Sequence, residues 1–171
     1  PFVHKALLIV GMMFVPLMLL VGWQLKFSHD HAVQERQALI RQNVEVASGI
    51  LEWAHAQERA GKVNREQAQA MARSAIETLR YSKDQYFWLN DMQGRMLMHP
   101  FKPELNGTDV LTMRDPNGVA LFQEMIKVVE KQGHGLVAYQ WPRPGQKQPV
   151  DKVSYVTGFA PWGWVVGTGV F

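Results

Sequence analysis

The stretch from Tyr86 to Pro100 constrains the fold more than any other part of the chain. Its sequence, YFWLNDMQGRMLMHP, has two short apolar and aromatic arms around a polar turn that contains Gly94. A glycine that can take a positive φ between two such arms is typical of a β-hairpin. In the first arm Tyr86 and Trp88 share one face and Phe87 lies on the other. Because both faces carry apolar bulk, we expect the hairpin to be covered on both sides.

The composition of the 171-residue chain is that of one globular domain with some additional length. Hydrophobic residues make up 47% of the chain and charged residues 19%, which is typical of a protein with a sizeable core. The formal charge of +3 is too small and too scattered to indicate a nucleic-acid partner. Since the chain has no cysteine, disulfides and thiolate metal sites are excluded.

An uncharged apolar run extends from Ala6 to Trp23. Its length is close to the roughly 20 residues that a membrane-spanning helix needs, and exceeds the apolar core of a typical signal peptide. A cleaved signal peptide is the alternative, although the residues after the run form a poor cleavage site. Lys5 precedes the run, and positive charge favours the cytoplasmic side. We therefore expect residues 1–23 to anchor the chain in the inner membrane, with residues 24–171 forming a periplasmic or other extracytoplasmic domain.

A long amphipathic helix is predicted for residues 24–60, which contain no proline. Ala32, Leu39, Val46 and Trp53 recur at intervals of seven, beside a second row of apolar residues. An apolar stripe this wide can contact both its own domain and a second copy of the chain. We therefore expect a homodimer formed through this helix. A helix packed only on its own domain is the alternative.

The rest of the chain predicts an α+β fold. Asn64 begins a second helix, and Gln67 three residues later completes a capping-box pattern. A loop from Phe101 to Asn117 follows the hairpin, and a third helix is predicted for residues 118–132. Three further strands are predicted, over residues 136–141, 151–159 and 164–171. Because short turns connect these strands, we expect an antiparallel sheet flanked by helices.

The sequence carries no enzyme signature. It has no nucleophile motif, no phosphate-binding glycine loop and no metalloprotease motif. His29 and His31 are weak metal candidates, because residues two apart on a helix face in different directions. His134 lies between two glycines and is predicted to belong to a turn. We therefore predict a domain that is not an enzyme and has no cofactor and no bound metal.

Cationic, phenolic and indole side chains cluster instead on the predicted sheet. Lys152 lies in an otherwise apolar strand, where burial of an unpaired charge is costly. It either is buried and needs an anion, or lies at a strand end and extends to water. If it is buried, the cluster suits a small carboxylate, with donors for the oxygens and indoles for the apolar remainder. The predicted ligand-binding residues are Arg80, Trp88, His99, Tyr139, Trp141, Lys152 and Tyr155.

From Arg80 onward, the chain resembles the single Cache sensor domains, second subclass, of bacterial transmembrane receptors. Matching motifs include Tyr86-Phe87-Trp88, Met98-His99-Pro100, Tyr139-x-Trp141, Lys152-x-Ser154-Tyr155 and Pro161-Trp162-Gly163-Trp164. The resemblance implies a PAS-like antiparallel sheet flanked by helices, as in methyl-accepting chemotaxis proteins. It also implies recognition of a small organic acid such as acetate, propionate, pyruvate or lactate. In that family, a second membrane helix and a cytoplasmic output module are expected after the position of Phe171.

Two classes of function follow from these patterns. The first is a sensor domain with an enclosed ligand pocket, belonging to a chemoreceptor, a sensor histidine kinase or a cyclic-dinucleotide enzyme. The second is an assembly module that binds another protein through an exposed aromatic sheet. Enclosure of the aromatic residues behind the loop from Phe101 to Asn117 favours the sensor, whereas their exposure favours the assembly module.

Overall fold

The computed structural model describes residues 2–171, without the side chains of residues 3, 4 and 6–11. The chain divides into two compact units, Pro1–Arg36 and Gln37–Phe171. In the part of the chain that is described, no helix has both the length and the apolar character needed to cross a bilayer. The predicted membrane anchor, Ala6 to Trp23, includes residues 6–11 and therefore lies partly outside the described side chains.

Residues 2–171 form three α-helices and six β-strands. These are α1 (Phe2–Arg59), α2 (Arg65–Thr78), β1 (Arg80–Ser82), β2 (Gln85–Asp91), β3 (Met96–Met98), α3 (Leu121–Gln132), β4 (His134–Pro142), β5 (Pro149–Phe159) and β6 (Trp164–Val170). The short strand β1 was not expected. The prediction of a turn at His134 is wrong, because Gly133 alone ends α3 in a left-handed conformation and His134 already pairs with Thr157.

The six strands form one antiparallel sheet. Its order is β1-β2-β6-β5-β4, with β3 pairing to β2 beside that path. Strand β6 thus returns to lie between β2 and β5, so that the first hairpin and the last strands become neighbours. The predicted fold class, an antiparallel sheet flanked by helices, is confirmed.

Helices cover both faces of this sheet. The first face packs against α1 and α2 through Phe87, Leu89 and Trp164, which contact Ile40, Leu51 and Ile76 among other core residues. We call it the α1–α2 face. The second, which we call the α3 face, carries a separate core built from strand residues, the loop before α3 and α3 itself. This core includes Tyr86, Trp88, Val110, Phe122, Met125, Tyr139, Trp141 and Val156. The expectation that the hairpin is covered on both sides is therefore confirmed.

Local hydrogen bonds set the ends of the elements that hold the site. The Asn64 side chain accepts from the backbone N–H of Gln67 at 2.8 Å, and the Gln67 side chain accepts from that of Asn64 at 3.0 Å. This is the predicted capping box at the start of α2. Gly94 takes a φ of 82° in the turn between β2 and β3. The carboxylate of Asp91 accepts from the backbone N–H of Arg95 at 2.8 Å and closes that turn.

Candidate ligand-binding site

Lys152 is buried in the α3 face of the sheet. It pairs directly with Tyr139 across β4 and β5, so both side chains lie on the same face. Only 2% of Lys152 is exposed, and its Nζ donates to the Tyr86 hydroxyl at 3.0 Å. Of the two arrangements that the sequence left open for this lysine, the structure has the buried one.

Aromatic rings surround the Lys152 amine. The Nζ atom lies 4.3 Å from the ring centre of Tyr86, 4.7 Å from that of Phe171 and 5.6 Å from that of Trp88. No ion pair found among the described residues includes Lys152. The face of an aromatic ring attracts a cation less strongly than a carboxylate does. Removal from water therefore lowers the pKa of Lys152 from its usual 10.5 to about 7.

His99 presents a neutral imidazole beside this amine. Its Nδ1 accepts from the backbone N–H of Phe101 at 3.3 Å and of Lys102 at 3.0 Å. Since Nδ1 is an acceptor, the proton of the neutral ring lies on Nε2, which is then free to donate. Burial first, and then the positive charges of Lys152 and Lys102, lower the pKa of His99 to about 3. His99 is therefore a hydrogen-bond donor without charge at neutral pH.

Indole and phenol rings form the walls around these donors. The His99 ring centre lies 5.0 Å from that of Tyr86 and 5.9 Å from that of Trp141. The indole N–H of Trp88 donates to Asn90 at 3.1 Å, which holds the ring in the face. The Tyr139 hydroxyl lies 2.9 Å from the Ser154 Oγ, and both groups are buried. The cluster thus combines a few convergent donors with an apolar enclosure, which is typical of a site for a small ligand.

Glycines in β6 make room for the two central side chains. Gly167 pairs with Trp88, and a Cβ atom at Gly167 would overlap the Trp88 indole. Gly169 pairs with Ser154, and a Cβ atom there would lie 2.8 Å from the Cε of Lys152 and overlap the Ser154 Oγ. The two positions therefore need glycine for close packing against the site.

Arg80 lies at the outer rim of the cluster. Its guanidinium donates to the backbone carbonyls of Glu77 and Leu79, and lies 5.0 Å from the ring centre of Phe101. Phe101 in turn packs on Tyr86, with ring centres 5.1 Å apart. Arg80 is thus separated from the Lys152 amine by two aromatic rings. Among the predicted residues, it occupies an exposed position, where it can attract an anion but is not part of the buried group.

Tyr155 does not belong to this cluster, and placing it beside Lys152 was wrong. Positions three apart in a strand point to opposite faces. Tyr155 therefore lies in the α1–α2 face, where its ring stacks on His134 with centres 5.7 Å apart. The structure brings together the other buried members of the predicted set, which are Trp88, His99, Tyr139, Trp141 and Lys152.

Sequence reasoning did not assign four residues of the site, namely Tyr86, Phe101, Ser154 and Phe171. Tyr86 shares the face of Trp88 two residues later, and Ser154 shares the face of Lys152, so alternation along the strands could have identified both. Phe171 ends the predicted strand 164–171, so alternation there could also have identified it, whereas Phe101 lies in the predicted loop, where no periodic pattern marks it.

The loop between β3 and α3 covers the edge of the site. The Asp115 carboxylate accepts from the backbone N–H groups of Asn117 at 2.9 Å and Val119 at 2.8 Å. Its second oxygen accepts from the backbone N–H of Gln140 in β4 at 2.8 Å. Val110 in the same loop is fully buried in the core of the α3 face. The loop is therefore attached to the sheet, and encloses the aromatic residues as a sensor pocket requires.

Two cavities lie away from these residues. One, of about 610 Å³, is an open groove beside α3 and β4, and its lining includes Arg114, Gln123 and Val137. The other, of about 350 Å³, is more apolar and its lining includes Gly158 and Trp164. Neither is lined by any of the predicted ligand-binding residues.

Comparison with known proteins agrees with the fold and the motifs. Residues 32–171 match the family model for single Cache domain 2. The chain is 38% identical to the methyl-accepting chemotaxis protein McpP of Pseudomonas putida, over 99% of this chain and 31% of McpP. The chain thus spans about a third of the length of that relative.

Two solved structures are similar along most of this chain. One is described as the periplasmic sensor domain of a chemotaxis protein; it is 46% identical with a TM-score of 0.80, over 81% of this chain and 96% of that one. The other is a Cache chemosensory domain, and its description refers to the structural basis for carboxylic acid recognition. It is 45% identical with a TM-score of 0.81, over 84% of this chain and 97% of that one. These findings confirm the resemblance drawn from the motifs: the chain belongs to the single Cache domain 2 family.

Proposed function

We propose that this chain is the extracytoplasmic sensor domain of a bacterial transmembrane chemoreceptor, and that it binds a short monocarboxylate. One observation carries the proposal: the Lys152 amine is buried among aromatic rings, and no residue that the structure describes gives it an acidic partner. A carboxylate would supply the missing charge, and would accept hydrogen bonds from Lys152, Tyr86 and His99. The similar Cache chemosensory domain, whose description refers to carboxylic acid recognition, supports this assignment. The domain acts by binding and not by catalysis.

The enclosure favours ligands of two or three carbons. Trp88 and Trp141 would contact the alkyl end, so acetate, propionate, pyruvate and lactate are the candidate ligands. With at most about 1.5 kcal/mol per heavy atom, the four heavy atoms of acetate give about 6 kcal/mol, or a dissociation constant of tens of micromolar at best. A dicarboxylate such as succinate would leave its second charge unpaired against aromatic rings, and we expect it not to bind.

The proposal is tested by replacing the buried amine. We expect Lys152→Ala to abolish binding of acetate and propionate, because their carboxylate would then be desolvated without a cation. The melting temperature of the protein without ligand should stay level or rise, since a costly buried amine is gone. Isothermal titration calorimetry on the purified 171-residue chain measures the binding.

Tyr155→Phe is the matched control for this experiment. Tyr155 lies in the same strand but on the opposite face, and its hydroxyl is not part of the cluster. This variant should bind both acids as the original chain does. Carboxylate binding that survives in Lys152→Ala, or that disappears in Tyr155→Phe while the protein stays folded, would contradict the proposed site.

We also propose that residues 1–23 anchor the domain in the inner membrane, and that residues 24–171 lie in the periplasm. The description of the similar structure as a periplasmic sensor domain supports this location. A retained anchor should keep the chain in the membrane fraction after washing with high salt and with carbonate. Recovery of a chain that begins near Gln24 and leaves the membrane in these washes would favour a cleaved signal peptide instead.

A further inference from the structure

We propose that the site takes up its carboxylate together with one proton, which the Lys152 amine receives when the anion binds. Occupancy in neutral and alkaline medium would then follow the concentration of the undissociated acid, and not that of the carboxylate alone. This inference rests on the proposed function and adds a second ligand, the proton, to the same site.

The geometry of Lys152 carries the inference. Among the described residues, the amine has one hydrogen-bond partner, the neutral hydroxyl of Tyr86, and it otherwise faces the rings of Tyr86, Phe171 and Trp88. Such surroundings tolerate a neutral amine and make the ammonium form costly. The pKa of Lys152, lowered to about 7 by burial, agrees with this geometry. A carboxylate bound against Nζ would reverse the preference, because it stabilises only the ammonium form.

Among the described residues, no ion pair or hydrogen bond joins an acidic group to the Lys152 amine. Acidic residues in and beside the strands have other partners: Asp84 pairs with Arg143 at 3.6 Å, and Asp151 accepts from the Gln140 side chain at 3.0 Å. Asp115 accepts three backbone N–H groups. The charged groups that lie over outer rings of the cluster are cations, and they oppose protonation of Lys152. They are Arg80 and Lys102, which lie over Phe101 and Trp141, and Arg143, which lies over Phe171.

The other titratable groups of the cluster keep their charge state over the pH range in which Lys152 would take up a proton on carboxylate binding. Burial, with the charges of Lys152 and Lys102, holds the pKa of His99 at about 3, so its ring stays neutral. Burial raises the pKa values of Tyr86 and Tyr139 above their usual range, so their hydroxyls stay protonated. A proton taken up on binding is therefore assigned to Lys152.

Linkage makes the expected pH dependence quantitative. If the carboxylate raises the pKa of Lys152, protonation of Lys152 must tighten carboxylate binding by the same factor. Below about pH 6 the free amine is already charged, and binding takes up no proton. Above about pH 7.5 each ligand must bring one proton, so the dissociation constant should rise by about tenfold per pH unit.

Isothermal titration calorimetry with propionate tests this directly. At each pH, titrations of the 171-residue chain in several buffers with different ionisation enthalpies yield the number of protons taken up. We expect a value near zero at about pH 5.5 and a value approaching one at about pH 8.5. In parallel, ¹³C NMR of the lysine Cε atoms should show that saturating propionate raises the titration midpoint of Lys152. The Lys152→Ala spectrum assigns its signal.

Each outcome decides between the proposals. Binding of propionate without proton uptake at any pH would overturn this inference and leave the proposed function intact. Proton uptake with an unchanged Lys152 midpoint would also overturn it, since another group would then receive the proton. No binding of acetate, propionate, pyruvate or lactate by the folded chain would overturn the proposed function and this inference together.

Discussion

Gly169 shows how one residue without a side chain determines the position of a charged neighbour. Lys152 can extend toward Tyr86 because Gly169 of β6, which pairs with Ser154 two residues further along β5, has no Cβ atom. In the structure, a Cβ atom at Gly169 would also lie 2.7 Å from the Val153 carbonyl oxygen, which belongs to the backbone and cannot rotate away. The need for glycine is thus a matter of space at this position.

Gly169→Ala should therefore damage both stability and binding. We expect a loss of about 1–3 kcal/mol in the free energy of unfolding, as for other overpacked core positions. Displacement of the Lys152 amine should weaken propionate binding by at least about tenfold, or about 1.4 kcal/mol. Denaturant unfolding and calorimetry measure the two effects. The control is Gly49→Ala in α1, where nothing lies within 4 Å of the added Cβ. It should stabilise the helix by about 0.5–1 kcal/mol. Equal behaviour of the two variants would contradict this account.

Helix α1 carries two apolar rows with different surroundings in the unit Gln37–Phe171. Ile40, Val44, Ala47, Leu51 and Ala54 are fully buried against the sheet. Leu39, Val46 and Trp53 are 47%, 67% and 51% exposed. At about 100° per residue, the second row lies on a neighbouring side of the helix. The second row therefore remains available for a second copy of the chain, as the heptad spacing predicts.

The homodimer remains a prediction, and cysteine crosslinking tests it at the level of this element. Single cysteines at Leu39, Val46 and Trp53 should form disulfides between two chains in the membrane under mild oxidation. Cysteines at Arg41 and Glu45 are the controls, because these exposed residues lie on a third side of α1, away from both apolar rows, and form an ion pair at 3.2 Å. A dimer through the exposed apolar row predicts crosslinking with helical periodicity. Equal crosslinking at all five positions would count against it.

For the whole molecule, Lys152 makes stability depend on pH. Its pKa is about 7 in the folded protein and 10.5 when unperturbed. Between these values the unfolded chain holds a proton that the folded protein lacks, so the free energy of unfolding rises with pH. The destabilisation by the buried amine is complete below about pH 7 and is lost as the pH approaches about 10.

Comparison with Lys152→Met isolates this effect from all other groups. From about pH 7 to 10, the original chain should gain stability relative to the variant by about 1.4 kcal/mol per pH unit. Below about pH 6 the difference between the two proteins should be constant. Denaturant unfolding without ligand at a series of pH values measures it. A difference that does not change with pH would mean that Lys152 keeps an ordinary pKa in the folded protein.

Local patterns in the sequence were sufficient to predict most elements of the fold. Alternation placed Tyr86 and Trp88 on one face and Phe87 on the other, as the two cores confirm. The capping box at Asn64 and the glycine turn at Gly94 also appear as predicted. These features depend on neighbours within about four residues, so the sequence alone specifies them. The same rule of alternation, applied consistently, would have excluded Tyr155 from the site.

The site itself depends on contacts between residues far apart in the chain. Lys152 and Tyr86 are separated by 66 positions, and they meet because β6 inserts between β2 and β5. From the sequence, a lysine near the start of a strand could equally have extended to water. Strand order, the glycine at position 169 and the rings of Phe101 and Phe171 decide that it is buried. Short motifs were thus sufficient to predict most of the elements and the family. Which donors converge depends on the assembled sheet and its covering loop, because together they remove the Lys152 amine from water.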